Sequence, residues 1–171
     1  SKGLTEPNSH LCLAVGSLEH ILPGHDPTGI FKRLSTMAKA LPAECWRNAV
    51  RDSMEIIFED LGRVRNAYAR GDIRTFRVNA VGVASSMALV QANLARAAVV
   101  TERDLNRVFE ELLGEDSEPA RAFRVASRVE DGDDADVMDA LNYLGEYLLR
   151  ESLKQSAMLQ VHSAASSYVP P

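Results

Sequence analysis

The sequence predicts an all-α protein, a helical bundle of about six helices with room for one short N-terminal strand. Three observations predict it. Ala, Leu, Val, Glu and Arg are abundant while aromatic residues make up only 6% of the chain, and strands would draw more heavily on aromatic and β-branched side chains. Apolar residues recur at helical spacing in segment after segment from Ile30 onward, the pattern of helices that each bury one face. Helix punctuation falls between those segments at Pro42, Gly71, Asp72 and Gly114. With 171 residues the chain suits one domain able to bury a core without disulfide or metal staples.

The elements follow in order. Residues 1–9 are polar and carry Gly3 and Pro7, so they read as a tail. Residues 11–15 form a short apolar run ended by Gly16, a candidate strand that would need a partner from outside this chain or from a larger fold. Residues 22–27 (Leu-Pro-Gly-His-Asp-Pro) are turn chemistry. The first clear helix covers residues 28–41, with Ile30, Leu34, Met37, Ala38 and Leu41 on one side. Pro42 suits a helix start, and a long amphipathic helix is expected over residues 43–70, closed by Gly71. Asp72 can cap the next helix, which continues to about residue 98 and is small or apolar nearly all round, as a central buried helix should be. Thr101-Glu102-Arg103-Asp104 resembles a helix start leading to Leu105, Val108, Phe109 and Leu112. Two further helices are expected over residues 119–129 and 136–160, the last through Val137, Leu141, Leu144 and Leu148. The bundle is thus assigned to residues 18–162, with residues 1–17 before it and a flexible tail at 163–171.

Charge and composition exclude several classes. A formal charge of −5 without any basic stripe leaves no electrostatic footprint for nucleic acid. No apolar run approaches the roughly 20 residues that span a bilayer, so a soluble chain away from membranes is expected. Cys12 and Cys45 lack metal-ligand spacing and are too few for a disulfide framework, which fits a reducing cytoplasm. His10, His20, His25 and His162 share no metal-ligand spacing. Asp131-Gly132-Asp133-Asp134-Ala135-Asp136 superficially suggests a calcium loop, but it lacks the alternating ligands and the closing glutamate and reads as a solvated loop capping the last helix.

The stretch from Phe58 to Asn66 (Phe-Glu-Asp-Leu-Gly-Arg-Val-Arg-Asn) carries the candidate chemistry. On a helical wheel centred on Ile57, the residues Trp46, Val50, Met54, Leu61, Val64 and Tyr68 gather on one side, and Glu55, Glu59, Arg63 and Asn66 on the other. One face packs, and the other sets carboxylates and a guanidinium in a row. The same residues also suit a plain solvated face, with Glu59 and Arg63 in the favourable acid-before-base i,i+4 order.

Phe58-Glu59, two residues, Gly62, basic Arg63, one residue, then Arg65-Asn66, followed by Gly71 and a small-residue helix, resembles the carboxy-terminal helical domain of the kanamycin (aminoglycoside) nucleotidyltransferases. Ile21-Leu22-Pro23, Asp26, Gly29 and Ala38-Lys39 fall at similar spacings upstream, and the likeness runs through residues 78–94, covering roughly residues 18–113 with one single-residue gap before Phe58. It implies a helical domain beside a mixed α/β catalytic domain, in a dimer whose active sites are shared. On that reading residues 1–17 are the end of a catalytic domain missing from this chain, or a tail. Glu59 matches a general base that takes the proton from an aminoglycoside hydroxyl during AMP transfer. Arg63 matches a lysine that contacts nucleotide phosphate, with a planar fork in place of a point charge. Glu55 matches an acidic position suited to substrate ammonium groups. Mg²⁺ and ATP belong to the complete enzyme, and this chain alone is expected to hold neither. Ala14-Val15-Gly16-Ser17-Leu18 mimics the family's phosphate-binding turn, but Asp26-Pro27-Thr28 follows where two metal-binding carboxylates one residue apart are needed. The implied partners are a second copy or a catalytic domain. The alternative is a stand-alone helical interaction module that dimerises, or partners a separate nucleotidyltransferase chain, without catalysis of its own.

Overall fold

A computed structural model describes residues 9–20 and 26–166, with side chains through residue 156. Among these residues the chain is all-α, with no strand: α1 (Leu11–His20), α2 (Ile30–Lys39), α3 (Ala43–Ala69), α4 (Ile73–Leu94), α5 (Leu105–Leu113), α6 (Glu118–Ala126) and α7 (Asp134–Ser166), with a 3₁₀ turn at Glu102–Asp104 before α5.

The centre of the fold is the hairpin of α3 and α4, and its turn follows from two residues. Gly71 adopts φ +71°, a left-handed conformation that costs glycine little. Its N–H reaches Tyr68 O and the Asp72 N–H reaches Ala67 O, at 3.0 Å each, closing α3 in a Schellman arrangement. Asp72 then accepts a hydrogen bond from the Thr75 N–H (3.1 Å), capping α4. Tyr68 and Phe76 pack ring on ring across the turn, centroids 5.2 Å apart. Helix α7 packs on both members of the hairpin, so Ile57, Leu61 and Val64 of α3 share one core with Phe76, Met87 and Val90 of α4 and Leu141, Leu144 and Leu148 of α7. Helices α5 and α6 close the same core through the stacked rings of Phe109 and Phe123, 4.2 Å apart.

Six of the helices were expected from the sequence; the seventh corrects it. Residues 11–15 are not a strand but the first half of α1. The buried positions Leu11, Cys12, Val15 and Gly16 fall at i, i+1, i+4 and i+5, a helical face that a five-residue window cannot separate from a strand. Boundaries also move. The helix expected to reach residue 98 ends at Leu94; residues 95–100 instead fold back on α1, with Arg96 at φ 53° and the Val99 N–H donating to Cys12 O (3.1 Å). The helix expected to reach residue 129 ends at Ala126, with Arg128 left-handed at φ 61°. Helix α7 starts at Asp134 and runs to Ser166, so residues 163–166 of the expected tail are helical. Residues 1–8, 21–25 and 167–171, with the parts of the tail and turn readings that fall on them, lie outside the described residues. In the described part of the 22–27 turn, Asp26 accepts from the N–H groups of Ile30 and Phe31 (2.9 and 3.1 Å), satisfying the open first turn of α2.

Asn93, fully buried, ties α1 to α4: its Oδ1 accepts from the Cys12 N–H (3.0 Å) and its Nδ2 donates to Ser9 O (2.8 Å). Asn93→Ala leaves both backbone groups without that partner and should lower stability by about 1–3 kcal/mol in denaturant unfolding. Beside it Cys12 is fully buried and its thiol is pushed up to about 11 by burial, which keeps it protonated and unreactive near neutral pH.

Thr101 and Asp104 cap the 3₁₀ turn reciprocally, the start predicted from their spacing. The 131–136 stretch caps α7 as expected: Asp133 Oδ1 accepts from the N–H groups of Ala135 and Asp136 (2.8 and 2.9 Å), and Asp136 Oδ2 accepts from the Asp133 N–H (2.9 Å). Asp134 is clamped by Arg77 of α4 (2.8 Å) and by Arg128. The Arg77 hydrogen bond, followed by that of Arg128, holds the Asp134 carboxyl below its ordinary value of 3.8. A depressed carboxylate stabilises the fold above its unfolded value and loses that contribution as pH falls through the folded one. Thermal unfolding of the wild type followed from pH 6 down to about 2 should therefore show an acid loss that is shallower in Asp134→Asn.

Candidate functional site

The long helix α3 sets its buried and exposed faces as the wheel predicts: Trp46, Val50, Met54, Ile57, Leu61 and Val64 are buried, and Glu55, Glu59, Arg63 and Asn66 are exposed. Tyr68 is partly covered against the core. The Arg63 guanidinium bridges two carboxylates, with NH2 on Glu59 Oε1 at 2.5 Å and NH1 on Asp60 Oδ1 at 2.8 Å. The side chains of Glu59 and Arg63 are each 66% exposed. Among the described residues Glu55 forms no ion pair or hydrogen bond. Arg65, two residues beyond Arg63, donates from Nε to Asn142 Oδ1 of α7 (2.8 Å).

Two grooves flank this crest and separate the three candidates. Arg63 lines a groove of about 230 Å³ between α3 and α4, with Asp60, Val78, Asn79, Gly82 and Ser86. Glu55 lines a groove of about 300 Å³ between α3 and α7. Glu59 lines neither and stands on the ridge between them. The polar wall predicted from the sequence therefore exists, but it is convex. A carboxylate on a convex, hydrated surface cannot exclude water from a reacting hydroxyl, so general-base work there requires a second body closing over α3.

Sequence reasoning missed Asp60, Asn79 and Ser86. Asp60 competes with Glu59 for Arg63 because i,i+3 and i,i+4 positions both reach the same guanidinium. Asn79 and Ser86 were hidden in a helix that looked uniformly buried. Their side chains donate to Thr75 O (2.8 Å) and Gly82 O (3.1 Å), and each keeps a free acceptor lone pair.

Among the described residues no group of three or more His, Cys, Asp or Glu side chains could hold a metal ion. No helix among the described residues is long and apolar enough to cross a membrane. Comparison with protein-family models gives no match, and comparison with curated protein sequences gives none either.

Proposed function

We propose that this chain is the helical substrate-binding and dimerisation domain of a nucleotidyltransferase-like protein, with Glu59 as the general base for AMP transfer to an aminoglycoside-like hydroxyl. The observation that carries the reading is the exposed row Glu55, Glu59 and Arg63 on α3, backed by a buried opposite face while its own side chains stay open to solvent. The ion pair between Glu59 and Arg63 is no obstacle. A surface pair of this kind contributes only a few tenths of a kcal/mol, so a substrate hydroxyl can replace the guanidinium at Glu59 at little cost. Released from Glu59, Arg63 keeps its pair with Asp60 and turns its remaining N–H donors toward an anionic oxygen, the role its position suggests. Glu55, one turn away without a partner among the described residues, suits a substrate ammonium. The carboxylates for Mg²⁺ and the turn for ATP phosphates belong to the catalytic domain that closes over the ridge. Free Cys12 and Cys45 suit a reducing cytoplasm.

A second reading, a helical interaction module without catalysis, is favoured by a different observation. Helix α2 leaves Ile30 and Met37, two turns apart on one face, 47% and 43% exposed, an apolar strip that a protein–protein contact would cover. Calorimetric titration separates the two. The transferase domain should bind an aminoglycoside with heat that diminishes in Glu55→Gln; the interaction module predicts no heat with aminoglycoside or ATP, and self-association undiminished in Glu59→Gln.

A further inference from the structure

Apart from Glu55, the groove between α3 and α7 is lined by residues that the transferase reading does not use. Its apolar lining comes from Val50, Met54, Phe58 and Leu149. Val50 and Met54 are buried, while Phe58 and Leu149 stay 42% and 39% exposed on its walls. Its volume of about 300 Å³ lies at the lower end of the range for small-molecule sites, roughly 300–1,000 Å³, which are mostly apolar with a few placed polar groups.

The charges on its rim are ordered along α3. Arg47 and Arg51 stand one turn apart, about 6 Å of helix rise, and Glu55 stands a further turn along, about 12 Å from Arg47. Arg47 has no hydrogen-bond or ion-pair partner among the described residues. Arg51 pairs only with its sequence neighbour Asp52, at 3.2 Å, and its side chain remains 62% exposed. On its α3 side, one end of the groove thus carries two available guanidiniums, and the other end carries a carboxylate that repels anions. Guanidiniums of this kind bind carboxylates and sulfonates through paired N–H donors. Ser152 and Ser156 add hydroxyls on the α7 side.

We propose that the groove between α3 and α7 binds a small amphiphilic monoanion, with a compact aromatic or aliphatic body on Met54, Phe58 and Leu149 and its carboxylate or sulfonate on Arg47 and Arg51. Glu55 sets the orientation by excluding the anionic end from its side of the groove. The site is independent of Glu59, which does not line it.

The test uses the full chain and two dyes of similar aromatic body: anilinonaphthalene sulfonate, which is anionic, and N-phenyl-1-naphthylamine, which is neutral. Fluorescence titration should show one saturable anionic-dye site. Arg47→Glu with Arg51→Glu should weaken that dye at least about tenfold, as expected for the loss of its charge-assisted contacts to the two arginines, and change the neutral dye less than about twofold. Glu55→Gln should tighten the anionic dye, Phe58→Ala should weaken both, and Glu59→Gln should change neither. The substituted arginines are exposed, and unchanged circular dichroism will confirm that the fold is kept. Equal affinity of the anionic dye for wild type and charge-reversed protein, equal loss of both dyes on charge reversal, or no saturable binding at all overturns the proposal.

Discussion

Gly16→Ala should lower the stability of the fold by about 3 kcal/mol, against the usual gain of roughly 0.5–1 kcal/mol when alanine replaces glycine inside a helix. The reason is the closeness of α1 to residues 95–100. A Cβ at Gly16 would lie 2.1 Å from Val99 O, 2.3 Å from its carbonyl carbon and 2.6 Å from its N. All three are backbone atoms, so no side-chain rotation relieves the overlap. The loop must move, and its movement breaks the Val99 N–H bond to Cys12 O and pulls on the Asn93 ties to Cys12 and Ser9. For a chain of this size a change of about 3 kcal/mol shifts the melting temperature by roughly 6–12 °C. Guanidinium unfolding of the two proteins checks it; an unchanged or raised midpoint would show that α1 is not seated on the 95–100 loop.

That contact was not legible in the sequence. Gly16 closes an apolar run and so looked like the end of a strand, whereas it is the point where one helix lets a backbone approach. The α3–α4 hairpin was legible because its signals are local: Gly71 for the left-handed residue, Asp72 for the cap, and an apolar stripe long enough to fix a period. The ends of α4 and α6 were missed for the opposite reason. Residues 95–98 and 127–129 remain partly apolar, and only left-handed Arg96 and Arg128, residues without any turn signature, end the helices there. The candidate site divides in the same way. The wheel placed Glu55, Glu59 and Arg63 on one exposed face, a property of α3 alone. That this face is a ridge between two grooves depends on how α4 and α7 pack beside it, and helical periodicity carries no record of neighbours.

On the proposed function, Glu59→Gln should reduce AMP transfer by about 10²–10⁴-fold, the range for loss of a positioned general base. Glutamine has nearly the shape of glutamate and retains an oxygen acceptor for Arg63, but it cannot take up the hydroxyl proton. The side chain is largely exposed and its ion pair is weak, so the variant should unfold at the wild-type temperature. The loss should fall mainly on kcat, because the interaction matters only as the proton leaves. The deciding measurement is therefore AMP transfer from Mg²⁺-ATP to an aminoglycoside by this domain together with the catalytic domain that the proposal requires, fused to it or supplied as a separate chain, wild type against Glu59→Gln. Loss of turnover in a variant of unchanged stability is the predicted result; turnover retained within a few-fold, or none by the wild type, would contradict the assignment of α3 as a catalytic wall.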